Sequence, residues 1–222
     1  MRILALTDIH ASYKKAEEII TKTPSDVVVI GGDLTTMGSV KEARNAVERF
    51  QSMTQTILCV AGNMDSAKHD ELFDQLGVSI NGCGRVIDNI GFFGVSASPH
   101  SPLRTPYELS EEELGRRIAS GFKEVAGSSI KVFVSHAPPF DTRTDIIHSG
   151  VHVGSRAVRD FVDMHQPDVV ICGHIHESRG QDRLGKARIV NCGPAASGFF
   201  VTVEIIGPEI AIAEHSLQTA PL

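Results

Sequence analysis

Apolar positions fall into two rhythms along the chain. Short runs in which nearly every residue is apolar, Ile3-Leu4-Ala5-Leu6, Val27-Val28-Val29-Ile30 and Ile57-Leu58-Cys59-Val60, have the length and β-branched content of strands buried on both faces. They predict strands over residues 2–7, 26–30 and 56–60. Between them, apolar residues recur three and four apart. Val40, Ala43, Val47 and Phe50 share one helical face. They predict a helix over 40–52, opened by a capping box of Ser39 and Glu42. The same reasoning predicts helices over 12–21, ended by Pro24, and over 67–76, closed by Gly77.

The second half reads differently. Strands are predicted over 85–88 and 92–95, then a proline-rich loop over 98–106. Ser110 and Glu113 form another capping box, opening a helix that buries Leu114, Ile118, Phe122 and Val125. A strand over 131–134 precedes a helix over 153–165, stopped at Pro167. The remaining segments, 169–172, 188–191, 199–205 and 210–214, are strand-like. The order is β-α-β-α-β at the start and mostly β at the end, with neither repeat nor linker. One α/β domain spanning 1–222, its sheets covered by helices, is the expected organisation.

With 222 residues, the chain is long enough to bury a substantial core. A net charge of −6 and an absence of Trp argue against nucleic acid as the partner. Cys59 and Cys172 sit in apolar runs and no C-x-x-C pair occurs, so they read as buried strand thiols in a reducing compartment. The apolar run at the N-terminus is too short for a signal-peptide core, and nowhere do 18 apolar residues run together. A cytoplasmic protein that spans no membrane is the expectation.

Chemistry enters at the strand ends. Five predicted strands end in polar, metal-capable residues: Asp8 and His10, Gly32-Asp33, Gly62-Asn63, His136, and Gly173-His174 with His176. In open α/β sheets such ends gather at one edge, where ligands bind. Carboxylate oxygen and imidazole nitrogen together suit manganese, iron, zinc and similar ions. The i, i+2 spacing of Asp8/His10 and His174/His176 lets both side chains of an extended segment point one way. The glycines before Asp33, Asn63 and His174 allow sharp turns out of the sheet. Taken singly, each piece is an ordinary turn or strand end. The ordered set, each member after an apolar strand, is not.

In this order, D-x-H, G-D, G-N, H and G-H-x-H resemble the signature of the calcineurin-like metallophosphoesterases, over Asp8 to His176. Within that family the chain looks like the small prokaryotic phosphodiesterase branch. The resemblance implies a four-layer α/β/β/α sandwich of two mixed sheets. It implies two divalent metal ions, manganese foremost with iron, zinc, nickel or cobalt as others, and hydrolysis of a small phosphate ester by attack of a metal-bound hydroxide. It assigns Asp8, His10 and His176 to one metal, Asn63, His136 and His174 to the other, and Asp33 to both. Asp33, Asn63 and His136 would then be catalytic as well.

One position departs from the family pattern. Where a His that assists the leaving group is usual, this chain has Met64, and a thioether cannot donate a proton. The expected consequence is a preference for diesters or for esters with acidic leaving groups. Asp65 would orient the missing His in the family, and its role here is open. Alternatives within the fold are a catalytically silent scaffold for protein partners, a phosphomonoesterase or protein phosphatase, and a nuclease. A homo-oligomer is compatible with the sequence. His100, Arg104 and Tyr107 are expected in a surface loop, and His148 and His152 in a loop near the site or a partner. Arg179, Arg183, Lys186 and Arg188 border a hairpin expected to be solvated, and His69, His165 and His215 are expected at the surface.

Overall fold

The computed structural model describes residues 1–217. In chain order its first elements are β1 (Arg2–Leu6), α1 (Tyr13–Lys22), β2 (Val27–Gly31), α2 (Val40–Met53), β3 (Ile57–Val60) and α3 (Ala67–Gln75). Next come β4 (Gly84–Ile87), β5 (Ile90–Val95), the two-residue strands β6 (Ser98–Pro99) and β7 (Glu108–Leu109), α4 (Glu111–Val125) and β8 (Ile130–Ser135). The chain continues through α5 (Arg156–His165), β9 (Val169–Cys172), β10 (Gly180–Leu184), β11 (Ala187–Asn191), β12 (Phe199–Ile206) and β13 (Glu209–Ser216).

These strands build two large sheets, ordered β13-β12-β1-β2-β3 and β10-β11-β9-β8-β5-β4. Each is mixed: β1, β2 and β3 run parallel, as do β11, β9, β8 and β5, with antiparallel strands at the flanks. Alternation along the strands settles the layering, because successive side chains point to opposite faces. Ile3, Ala5, Val27 and Val29 of the first sheet pack with Phe92, Val132, Val134 and Ile171 of the second. Leu4, Leu6, Val28 and Ile30 face the other way, onto Ala16 and Ile19 of α1 and Ala43, Val47 and Phe50 of α2. Phe93, Phe133 and Val170 face away from the first sheet, onto Leu114 and Ile118 of α4 and Phe161 and Val162 of α5. The four layers are α/β/β/α, as the resemblance implied.

Local differences from the sequence reading have identifiable causes. α5 starts at Arg156, not 153, because Ser155 is its N-cap and accepts from Val158 N–H at 3.2 Å. The capping box of α2 is half formed: Ser39 accepts from Glu42 N–H, while the Glu42 carboxylate instead accepts from Tyr13 OH at 2.8 Å. The segment 98–106 is not a free loop, since β6 pairs with β7 and Glu108 accepts hydrogen bonds from Ser101 and Thr105. Cys59 and Cys172 are buried strand thiols as expected, and among the described residues no disulfide forms. No helix among those residues is long and apolar enough to cross a membrane.

Candidate metal centre

The carboxyl ends of β1, β2, β3, β8 and β9 meet where the two sheets touch. The His136 ring crosses from the second sheet to the first: its Nδ1 lies 3.0 Å from the Gly31 carbonyl. A carbonyl only accepts, so Nδ1 carries a proton, and in the neutral ring Nε2 presents a lone pair. Asn63 Oδ1, a second lone-pair donor from the end of β3, stands 2.8 Å from that Nε2. Two lone pairs converging at this distance suit a cation or a proton between them.

Around this contact the other candidates close in. Asp33 Oδ2 is 3.5 Å from His136 Nε2 and 3.7 Å from His10 Nε2. Asp8 Oδ1 is 3.3 Å from His176 Nε2 and 4.0 Å from His10 Nε2. Two sets of side chains therefore have donor atoms close enough to hold an ion: Asp8, His10 and His176, and Asp8, Asp33 and His136. The first set coincides with one implied by the sequence. In the second, Asp8 is the shared carboxylate, while Asp33 Oδ2 stands between a histidine of each set. His174 is anchored through its backbone, whose N–H donates to Asp8 Oδ2 at 3.0 Å, and its ring lies 5.0 Å from that of His136. The donor set, oxygen and imidazole with no thiolate, fits divalent metal ions.

The backbone here is strained. Asp8, His10, Asp33 and His174 all adopt left-handed conformations, with φ of 53°, 45°, 49° and 68°, which cost a non-glycine residue about 1–3 kcal/mol each. The i, i+2 pairs thus face one site through left-handed turns, not extended backbone. The glycines also act differently from expectation. Gly32 does turn the chain, at φ 104°. Gly62 and Gly173 are needed for space: a Cβ would sit 2.1 Å from Asp33 Oδ1 at the first and 2.3 Å from Asp8 Oδ2 at the second.

Electrostatics follows burial. Burial pushes the Asp8 carboxyl up, but its bond to His176 and the charges of His136 and His176 outweigh that and hold it well below the usual range. Asp33 is raised to about 7, by burial first and by the nearby carboxylates Asp8 and Asp65, despite the His136 charge and the Met64 N–H it accepts at 2.7 Å. Burial lowers His174 to about 3, helped by the His136 charge, and also lowers His10. His176 is raised, chiefly by its bond to Asp8. His10 and His174 thus favour the neutral, metal-ligating form.

Several residues support the cluster from outside the donor set. Asp65 is buried and accepts from Leu34 N–H (3.1 Å), Thr35 N–H (2.9 Å), Thr35 Oγ1 (2.8 Å) and Gly62 N–H (2.9 Å). It ties the Asp33 loop to the Asn63 loop. Thr36 Oγ1 lies 3.0 Å from His10 Nδ1. Asn191, at the end of β11, donates to the Gly173 and Ile175 carbonyls and so fixes the turn carrying His174 and His176. A polar residue closing an apolar strand is the one clue its position offered. Tyr107 is buried, not on a surface loop: its N–H holds the Asn63 carbonyl at 3.0 Å, and its OH donates to Asp70, 2.6 Å away. His69 is buried too, its Nδ1 accepting from Ser66 N–H at the start of α3.

The weaker candidates lie outside the cluster. His148 is exposed near Glu177 and His100 near Glu108. His152 pairs with Asp145 at 2.6 Å, a bond that raises its pKa. Arg104, Arg183 and Lys186 are exposed, Arg188 is half-buried, and Arg179 pairs with Glu214 while its guanidinium lies over the Phe199 ring. His165 is exposed, and His215 is half-buried against Thr202.

Comparison with known proteins bears on this site. A family model described as calcineurin-like phosphoesterase matches residues 1–178. The uncharacterized protein MJ1162 of Methanocaldococcus jannaschii is 32% identical over 205 residues, covering 90% of this chain and 91% of that protein. Among solved structures, TT1561 of Thermus thermophilus is similar with a TM-score of 0.73 at 15% identity, over 96% of this chain and 97% of that one. A dimetal phosphatase from Danio rerio is similar with a TM-score of 0.65 at 11% identity, over 97% and 96%. Both structures speak to the fold.

Proposed function

The chain belongs to the calcineurin-like phosphoesterase family, and from that premise we propose that it is a two-metal phosphodiesterase acting on small phosphate esters. The observation that carries the proposal is the pair of His–carboxylate sets joined through Asp8, with Asp33 Oδ2 between His10 and His136. In the proposed site Asp8, His10 and His176 would hold one ion and Asn63, His136 and His174 the other, with Asp33 contributing to both. When bound, such a pair, manganese in the first instance, supplies an acidified water and positive charge for the phosphate oxygens.

The chain's own groups do the rest. The Gly31 carbonyl accepts from His136 Nδ1, so Nε2 is the ring nitrogen turned to the site. Asp33, raised to about 7 in the metal-free chain, would bind a cation as the carboxylate. Asp65 and Asn191 keep the loops in register, so that little reorganisation is left for the reaction. At Met64 no proton can be offered to a departing oxygen. The leaving group must depart as its own anion, which favours diesters and esters of acidic alcohols or phenols.

The test is to strip the metal, restore Mn²⁺ and compare initial rates on bis(p-nitrophenyl) phosphate and p-nitrophenyl phosphate, with His136→Ala as control. Metal-dependent cleavage of the diester, absent in the variant, is the expected result. Faster monoester cleavage would overturn the diesterase reading, and no cleavage of either would overturn the enzyme reading.

A further inference from the structure

Met37 is 72% exposed, and its backbone is left-handed at φ 57°, a conformation that costs a methionine about 1 kcal/mol or more. An exposed large apolar residue held in strained backbone points to use by a ligand. Its place in the chain says which ligand. Thr36, just before it, contacts His10 Nδ1, and Met37 N–H donates to the Met64 carbonyl at 2.9 Å. Met64 N–H in turn donates to Asp33 Oδ1 at 2.7 Å. Met64 is only half-buried. Two methionines from separate loops are thus tied by backbone bonds to each other and to the carboxylate between His10 and His136.

We propose that Met37 and Met64 form an apolar lip on which one ester substituent of the substrate rests, selecting phosphodiesters with an aromatic or hydrocarbon substituent over small polar ones. The identity of the ester rests on the diesterase reading above. Methionine suits the task, since its unbranched thioether adapts to an aromatic or aliphatic partner. A substituent seated there also covers the position that offers no proton, which matches a leaving group stable as an anion.

The test separates binding from catalysis. Calorimetry on Mn²⁺-loaded protein measures the affinities of diphenyl phosphate and dimethyl phosphate in the wild type, Met37→Ala, Met64→Ala, and Met164→Ala, the last a 76% exposed methionine on α5. The wild type is expected to bind the diphenyl ester about tenfold or more tightly than the dimethyl ester. Met37→Ala and Met64→Ala are each expected to cut that ratio to about threefold or less, and Met164→Ala to leave it unchanged. A ratio near one in the wild type, or one that neither lip variant lowers, overturns the lip. Failure to hydrolyse bis(p-nitrophenyl) phosphate, with the binding ratio intact, overturns the diesterase reading and leaves the lip standing.

Discussion

Replacing Asp65 by asparagine keeps the side chain's shape and exchanges one acceptor oxygen for an N–H₂ donor. In the native arrangement both oxygens are saturated: Oδ1 accepts from Thr35 N–H and Thr35 Oγ1, and Oδ2 from Leu34 N–H and Gly62 N–H. Neither orientation of the amide satisfies these donors. With the nitrogen in place of Oδ2, two backbone N–H groups face a donor. In place of Oδ1, the threonine hydroxyl can rotate to accept, but Thr35 N–H cannot. Asp65 is buried, so water does not readily replace what is lost. At least one charge-assisted bond of about 1.5–3 kcal/mol goes, and a buried donor is left opposed. The expected destabilisation of metal-free protein is about 2–4 kcal/mol. For a chain of this size that lowers Tm by roughly 4–16 °C. Urea unfolding with a two-state fit measures it, and Mn²⁺ titration of the same variant is expected to show weakened binding, because the bonds hold the loops of Asp33 and Asn63. A loss below about 0.5 kcal/mol, with Mn²⁺ affinity unchanged, would refute the view that this carboxylate sets the site.

The other expectations follow from single contacts. Asp33, raised from 3.8 to about 7, binds a proton in the folded chain that the unfolded chain has released. Its contribution to metal-free stability is therefore present at about pH 4 and lost as pH rises through 7. Asp33→Asn, which does not titrate, should gain on the wild type between pH 4 and 7.5 by up to about 4 kcal/mol. Thermal melts across that range check it, and a flat difference would refute it. Gly173→Ala places a Cβ 2.3 Å from Asp8 Oδ2 and 2.6 Å from Thr7; a loss of about 1–3 kcal/mol and reduced metal content by elemental analysis are expected. Tyr107→Phe removes a donor from buried Asp70, which keeps Ser96 and Asn81 as partners. About 1–2 kcal/mol of stability should be lost in urea unfolding.

How much of this was legible in the sequence depends on the range of the interaction. The strands β1, β2, β3 and β9 announce themselves because burial on both faces needs continuous apolar runs. The candidate ligand residues stood out because each follows such a run, and parallel strands bring their carboxyl ends to one edge. What the sequence hid was the means of convergence. An extended D-x-H would point both side chains one way, yet Asp8 and His10 achieve this in left-handed backbone held by bonds from Asp8 N–H to the Gly32 carbonyl and from His10 N–H to the Asp33 carbonyl. Those bonds join segments some two dozen residues apart, beyond any local pattern. Tyr107 was misplaced for the same reason: a polar side chain in a polar stretch reads as surface until a distant partner, Asp70, is seen to hold it. His69 has a local partner, Ser66, three residues before it, and it is the burial of the start of α3 that the sequence did not show.

The central claim is that these side chains hold two metal ions. Calorimetric titration of metal-stripped protein with Mn²⁺ at pH 7.5, checked by elemental analysis after desalting, tests it most directly. Two ions per chain in the wild type, and fewer than two in Asp33→Asn and in His136→Ala, are the predicted result. One ion or none in the wild type, or two in both variants, would contradict it.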